Sequence, residues 1–157
     1  MTLNWKQLVL VATLGSVALL GGAFVFQALG YAPCKMCYWQ RYPHAVAILI
    51  GVVALALGRR WLAWLGALAA LATSGIGVFH SGVERDLWEG PSSCTGGSTA
   101  GLSTDDLMDQ IMSAPLVRCD EAAWRLFGIS LAGYNFLISS AAGIAAIWLL
   151  AKKGRRA

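Results

Sequence analysis

Four long stretches of the chain contain no charged residue. They run over residues 7–34, 42–58, 61–83 and 126–151, and apolar side chains dominate each of them. A helix that crosses about 30 Å of hydrocarbon needs about 20 such residues, with about 17 as the lower limit. Because backbone groups in lipid must be hydrogen-bonded within their own segment, each stretch is predicted to be a transmembrane helix.

This pattern predicts an all-α membrane protein, an antiparallel four-helix transmembrane bundle with a long extracytoplasmic loop between the third and fourth helices. Residues 1–157 are expected to form a single membrane domain. The predicted spans are about 8–29, 43–58, 61–80 and 127–151, and the predicted outer loops are about 30–42 and 81–126. Pro43 is expected in the first turn of the second helix, with the chain turning just before it.

The composition argues against a soluble domain. Hydrophobic residues make up 57% of the chain and charged residues only 13%, about half the charged share of a typical soluble domain. The mean hydropathy is +0.62. The first apolar run is longer than the roughly 7–15 residues of a signal-peptide core, so we expect this segment to be retained.

The charges are segregated along the chain. All eight acidic residues lie in the loop 84–125. Seven of the twelve basic residues lie at the amino end, between the second and third spans, or in the tail: Lys6, Arg59, Arg60, Lys152, Lys153, Arg155 and Arg156. The positive-inside rule places these segments, and hence both termini, in the cytoplasm. No basic patch with interleaved aromatic residues is present in the sequence, so nucleic-acid binding is not expected.

The long loop combines a linker-like part with a predicted short helix. Glycine, serine and proline flank Cys94 at 90–93 and 95–98, as is typical of turns and linkers. Ser103 followed by Asp106 resembles a helix cap, and the apolar residues 107, 108, 111 and 112 then share one face. This helix either lies on the membrane surface or packs as an ordinary loop helix.

Four cysteines carry the candidate chemistry. Cys34 and Cys37 form a C-x-x-C motif at the end of the first span, and Cys94 and Cys119 both lie in the long loop. The charge pattern places all four on the extracytoplasmic side, where disulfides persist. They could form structural disulfides, bind zinc, or exchange electrons.

The two pairs differ in how well the structural and zinc hypotheses suit them. A Cys94–Cys119 disulfide would restrain the loop and contribute about 3 kcal/mol, whereas a bond between residues three apart restrains little. The C-x-x-C motif could supply two of the four ligands of a zinc site, and His44 and His80 near span ends are conceivable further ligands. The loop cysteines are too far apart in sequence to form the matching half of a zinc site.

Redox exchange is the third hypothesis. A C-x-x-C pair can hold a thiol of depressed pKa, and the thiolate is the form that attacks disulfides. Arg41 lies four residues after Cys37, on the same face of any helical continuation, where its guanidinium would favour a thiolate. The alternative role for Arg41 is that of an interfacial anchor facing lipid headgroups.

The segment 33–41 (PCKMCYWQR), the distant cysteine pair in the next outer loop and the four-span layout resemble the DsbB family of bacterial thiol–quinone oxidoreductases. The resemblance covers nearly the whole chain. The related vitamin K epoxide reductase family places its C-x-x-C after the loop cysteines, and the order here is the reverse.

The resemblance implies a quinone-dependent protein-dithiol oxidoreductase of the bacterial inner membrane that generates disulfides. The Cys94–Cys119 disulfide would oxidise a soluble, periplasmic DsbA-like protein of thioredoxin fold, with Cys94 forming the mixed disulfide. The Cys34–Cys37 disulfide would then reoxidise the loop pair. Cys37 would lie next to a membrane quinone, either ubiquinone or menaquinone, and pass electrons to its ring.

Two further residues are candidates for the quinone site. The resemblance implies that Arg41 contacts the quinone head group, and His80, at the outer end of the third span, could hydrogen-bond a quinone oxygen. No metal is expected. The alternative function is a non-catalytic membrane scaffold whose loop disulfide is only structural.

Overall fold

The computed structural model describes residues 4–92, 94, 101–113 and 117–154. The elements in chain order are α1 (Trp5–Ala28), α2 (Lys35–Leu57), α3 (Leu62–Val83), α4 (Thr104–Ser113), β1 (Arg125–Leu126), β2 (Ile129–Ser130) and α5 (Leu131–Gly154). The two strands pair antiparallel, with Arg125 opposite Ser130 and Leu126 opposite Ile129.

Four helices in the described part of the chain are long and apolar enough to cross a membrane. They are α1, α2, α3 and α5, with mean hydropathies of 2.3, 1.4, 1.8 and 1.6. Their outward faces carry large exposed apolar side chains such as Leu14, Leu49 and Ile144, as expected of surfaces that face lipid. The predicted all-α membrane bundle of four helices is confirmed.

Small residues let the helices approach closely. α3 packs between α2 and α5, and α1 packs against α2. The backbone of Phe136 in α5 lies 3.1 Å from the position that a side chain on Gly77 of α3 would occupy, and Gly143 leaves room for Leu71. Close backbone contact of this kind holds helices together in lipid, where the hydrophobic effect between them is absent.

The second helix begins at Lys35, well before the predicted span 43–58. Cys34 caps it: its backbone is extended (φ −74°, ψ 172°), and its sulfur accepts a hydrogen bond from the Cys37 N–H at 3.2 Å. The C-x-x-C motif therefore occupies the cap and first turn of a helix, and most of the predicted loop 30–42 is helical.

The prediction that Pro43 lies in the first turn of this helix, with the chain turning before it, is wrong. Pro43 lies inside α2. Neighbouring groups in a membrane bundle can satisfy the backbone atoms that a proline disturbs. Next to the carbonyl of residue 39, which loses its helical donor at Pro43, Thr73 of α3 donates to the Gln40 carbonyl at 2.9 Å, and the helix continues to Leu57.

The last long helix begins at Leu131, four residues after the predicted start at 127. The β1–β2 hairpin, which the sequence pattern did not indicate, occupies the preceding residues. Its two turn residues, Phe127 and Gly128, both have positive φ (50° and 75°). Such two-residue turns match the twist of antiparallel strands.

The long loop contains the predicted capped helix. The Ser103 hydroxyl accepts a hydrogen bond from the Asp106 N–H at 3.2 Å and donates one to the Asp106 carboxylate at 2.6 Å, so the predicted cap is confirmed. The predicted linker 95–98, the neighbouring residue 93 and the basic tail residues 155 and 156 lie outside the described residues.

Candidate redox site

All four cysteines lie in or against one buried cluster. Cys34, at the amino end of α2, packs with Cys94, Cys119 and Val83, the last residue of α3. Cys37, one turn along α2, is partly buried against the same cluster. The structure thus brings together the two pairs that the sequence placed in separate loops.

The two pairs are in different states. Cys94 and Cys119 are joined by a disulfide whose Cα atoms lie 5.3 Å apart, and the Cys119 N–H donates to the Cys94 carbonyl at 2.8 Å. Cys34 and Cys37 are free thiols with their sulfurs 2.8 Å apart. The hydrogen bond with the Cys37 sulfur, and then burial, raise the pKa of the Cys34 thiol, so Cys34 retains its proton.

His80 touches both pairs. It is 2% exposed, and its Nε2 lies 3.5 Å from the Cys34 sulfur. It also hydrogen-bonds the backbone of Cys119. Nδ1, the other ring nitrogen, lies 2.8 Å from the Gln40 side-chain nitrogen. His80 is therefore placed between the C-x-x-C pair and the loop disulfide.

Glu84, one turn after His80, is a buried carboxylic acid that sequence reasoning counted only as a loop charge. Its Oε1 lies 3.7 Å from His80 Nε2, and its Oε2 has no hydrogen-bond partner among the described residues. Arg125 donates to the Glu84 carbonyl at 3.1 Å. Burial raises the pKa of Glu84, against the opposing effects of Ser130, Arg125 and Arg85.

Arg41 is held against α1. One terminal nitrogen donates to Gln27 Oε1 at 2.7 Å and the other to the Ala23 carbonyl at 3.2 Å. The guanidinium carbon also lies 5.0 Å from the Phe24 ring centre and 5.1 Å from that of Tyr38. The third nitrogen, Nε, is buried and has no partner within the described chain.

A cleft of about 250 Å³ lies between α1, α2 and α5. We call it the Cys37 cleft, since Cys37, Arg41 and His44 line it from one side of α2. Apolar side chains such as Leu19 and Phe26 line it from α1. His80 is not among the described residues that line it, and reaches it only through Gln40.

Polar residues inside the membrane bundle form a network that sequence reasoning missed. Asn135 of α5 donates to Gln40 Oε1 at 2.7 Å and to Thr73 Oγ1 at 3.0 Å. Its own oxygen lies 2.8 Å from His44 Nε2 and accepts a hydrogen bond from Ser139 at 3.0 Å. Burying a polar side chain within a membrane span costs free energy, and such residues mark functional positions. Their occurrence in the predicted spans is therefore the sequence signal that could have identified this network.

Three ligand atoms in the site could hold a metal ion. The sulfurs of Cys34 and Cys37 and a ring nitrogen of His80 all lie within 4.8 Å of one another. Thiolate and imidazole ligands suit zinc. This set is complete only while both cysteines are reduced, because a Cys34–Cys37 disulfide would remove two of its three ligands.

Comparison with known proteins matches most of the chain to one family. Residues 5–149 match the sequence model of the family described as disulfide bond formation protein DsbB. That range contains all four cysteines and all or most of each of the four long helices.

Several individual proteins are similar over most of their length. The chain is 31% identical to disulfide bond formation protein B of Verminephrobacter eiseniae, covering 100% of this chain and 95% of that protein. It is 28% identical to the protein of the same name from Polaromonas naphthalenivorans, over 96% and 94%. An uncharacterised protein of Rickettsia prowazekii is 27% identical, over 87% and 82%. No solved structure matches the chain. The family match and these relatives show that the chain belongs to the DsbB family of disulfide bond formation proteins.

Proposed function

We propose that this protein reoxidises a periplasmic DsbA-like thiol oxidase and passes the electrons to a membrane quinone. Family membership makes it a disulfide oxidoreductase with several spans in the bacterial inner membrane. The finer function is supported by the asymmetry of the C-x-x-C pair. Cys34 packs with the loop disulfide, while Cys37 lines the cleft that contains Arg41.

The loop disulfide would react first with the partner protein. A thiolate of the partner attacks the Cys94 sulfur, forms a mixed disulfide and releases Cys119. The second thiol of the partner then displaces Cys94, which leaves the partner oxidised and the loop pair reduced. Cys94 is only 1% exposed, so the exchange requires its sulfur to be uncovered.

The C-x-x-C pair would then reoxidise the loop. Cys119 attacks the Cys34 sulfur of the Cys34–Cys37 disulfide, because Cys34 is the member of the pair that packs against it. Cys94 then displaces Cys34, which restores the loop disulfide and leaves Cys34 and Cys37 as thiols. This product has the same bonding pattern as the structure, in which only the loop pair is joined.

The residues of the Cys37 cleft fit a quinone head group. Its apolar walls suit a flat lipid-soluble ring, and the unpartnered Nε of Arg41 is a donor for a ring oxygen. When bound there, the quinone would accept the two electrons and two protons released as the Cys34–Cys37 disulfide forms. Arg41 would hold the head group beside Cys37 and stabilise negative charge. A direct contact between His80 and the quinone stays a prediction, since His80 Nε2 lies 3.5 Å from the Cys34 sulfur and His80 does not line the cleft.

We also propose that both termini are cytoplasmic and that the cysteines face the periplasm. The amino end of α1 and the carboxyl end of α5 meet at one end of the bundle, where Val9 and Leu150 share a buried cluster. Lys6 and Lys152 lie over tryptophan rings at that end. These contacts support the proposal that this end is the cytoplasmic side predicted from the positive charges. The cysteines, near the amino end of α2 and the carboxyl end of α3, would then face the periplasm.

The test is quinone reduction by purified protein with a reduced DsbA-like partner and defined quinones. The wild-type protein should form one partner disulfide for each quinone reduced. Cys37→Ser should abolish quinone reduction, and a normal rate in that variant would show the relay to be wrong. Cys94→Ser with Cys119→Ser should lose reaction with the partner but still reduce quinone with a small dithiol.

The scaffold alternative is favoured by one observation. Both loop sulfurs are buried, with Cys119 0% exposed, as in an ordinary structural disulfide. A scaffold predicts that Cys34→Ser leaves fold and activity intact, and that the loop disulfide resists mild reductant. The oxidoreductase predicts loss of activity and a loop disulfide that the partner reduces.

A further inference from the structure

His44 is a buried histidine that lines the Cys37 cleft and has one unpartnered ring nitrogen. The residue is 5% exposed and lines the cleft together with Cys37 and Arg41. It lies one helical turn beyond Arg41 and therefore further from the amino end of α2. Its Nε2 is 2.8 Å from Asn135 Oδ1, whereas its Nδ1 is buried and has no partner in the part of the chain that the structure describes.

The hydrogen-bond network fixes which way Asn135 faces. Thr73 Oγ1 lies 2.9 Å from the Gln40 backbone carbonyl. Because a carbonyl can only accept, the threonine hydroxyl donates its single hydrogen to it. Thr73 Oγ1 must therefore accept the hydrogen bond from Asn135 at 3.0 Å. The amide nitrogen of Asn135 faces Thr73, and its oxygen faces His44.

This orientation fixes the state of the His44 ring. Because Asn135 Oδ1 only accepts, the His44 Nε2 must carry a hydrogen and donate it. In the neutral ring Nδ1 then holds a lone pair, and in the protonated ring it is a second donor. His44, which lines the cleft, can thus bind or release a proton only at Nδ1.

No other side chain lining the cleft in the described chain can play this part as well. The Arg41 guanidinium only donates hydrogen bonds, and Cys37 supplies electrons. Tyr134 of α5 and Tyr31 before α2 also line the cleft, but the Tyr134 hydroxyl donates to the Leu126 carbonyl at 3.1 Å, and the Tyr31 ring packs against Phe26. The residues that α1 contributes are apolar. Histidine alone exchanges a proton near neutral pH.

We infer that His44 contacts the quinone head group through Nδ1 and carries a proton to or from a ring oxygen. The inference rests on the proposed function. Closing the Cys34–Cys37 disulfide releases two electrons and two protons, and the quinone takes up both as its two ring oxygens become hydroxyls. A protonated His44 donates to a ring oxygen of the quinone, and a neutral His44 accepts from a hydroxyl of the hydroquinone.

The sharpest variant is His44→Gln. A glutamine amide can keep the donor toward Asn135 while it removes the titratable nitrogen. Ser139→Ala is the matched control, since it removes another hydrogen bond to the same Asn135 oxygen and Ser139 does not line the Cys37 cleft. The probe is a short-chain ubiquinone, whose Kd is measured by titration across about pH 5–8, the range in which a histidine changes charge.

The wild-type protein should bind this quinone more weakly as the pH rises and His44 loses its proton. His44→Gln should bind it with little dependence on pH, and at the low end of the range more weakly by about tenfold or more, the factor for a hydrogen bond from a charged donor of about 1.5–3 kcal/mol. Ser139→Ala should keep the wild-type pH profile.

A second measurement follows the nitrogens of the His44 ring by NMR. The chain has only two histidines, so the ring nitrogens of ¹⁵N-histidine-labelled protein can be assigned with a single variant. Addition of the short-chain ubiquinone should shift the His44 Nδ1 resonance. This measurement uses the wild-type protein, so it also decides the matter if His44→Gln fails to fold.

The outcomes separate this inference from the proposed function. Wild-type protein that neither binds nor reduces the quinone would overturn both. Wild-type protein that binds it, with an unmoved His44 Nδ1 resonance or with the same pH profile in His44→Gln, would overturn only the role of His44.

Discussion

Arg41 lines the Cys37 cleft, and two of its three nitrogens are anchored while the third has no partner in the described chain. Arg41→Gln should raise the apparent KM for quinone about tenfold or more, because a hydrogen bond from a charged donor contributes about 1.5–3 kcal/mol. Steady-state quinone reduction at limiting quinone would measure the change.

The charge-matched control for Arg41 is Arg59→Gln, which removes an arginine from the other end of the bundle and should leave KM unchanged. An unchanged KM in Arg41→Gln as well would make Arg41 an interfacial anchor for lipid headgroups, its alternative role from sequence.

Glu84 gives a pH dependence of stability whose sign can be worked out. Burial raises its pKa in the folded protein above the unfolded value, so the folded state holds the proton more tightly. Its contribution to stability is fully present below the unfolded pKa and is lost as the pH rises through the folded pKa. The wild-type protein should therefore become less stable as the pH rises above the ordinary pKa range of a glutamic acid.

Glu84→Gln should remove the contribution of Glu84 to the pH dependence, so the stability of this variant should change less with pH. Thermal unfolding of detergent-solubilised protein at a series of pH values would measure it, with Glu89→Gln, an exposed glutamate, as control. Identical pH profiles for wild type and Glu84→Gln would contradict the assignment.

At the scale of the elements, α4 has an apolar face without a described partner. Met108, Ile111 and Met112 are exposed, which favours the membrane-surface hypothesis over that of a packed loop helix. A photoreactive phenylalanine analogue at Ile111 should crosslink to lipid in native membranes. The same analogue at Asp109, about 160° around the helix from Ile111, should do so much less. Equal lipid crosslinking at the two positions would contradict a surface location.

The helices could be predicted from sequence where the uncharged runs define them, and not at their ends. Lys35 and Arg41 interrupt the apolar pattern, so the first two turns of α2 were assigned to a loop. The cap of this helix is a cysteine, Cys34, rather than one of the usual serine, threonine, asparagine or aspartate residues. The β1–β2 hairpin depends on a positive φ at Phe127, which a bulky residue rarely adopts.

At the scale of the whole molecule, the candidate site was predictable only in part. The cysteines and Arg41 are linked by short spacing or by shared topology, which a sequence displays. His44 and Asn135 are 91 positions apart, and Gln40 and Asn135 are 95 apart. Their contact depends on how α2 and α5 both pack against α3, and the sequence pattern does not display that packing.

The central claim is that electrons pass from a protein dithiol through both cysteine pairs to a membrane quinone. The most direct measurement is thiol trapping of Cys34 and Cys37 in living cells, with quinone synthesis intact and with it switched off. With quinone present, the pair should be mostly oxidised. On quinone depletion it should accumulate as thiols, followed by reduction of the periplasmic partner. A Cys34–Cys37 pair whose redox state is the same in both conditions would contradict the account and favour a scaffold.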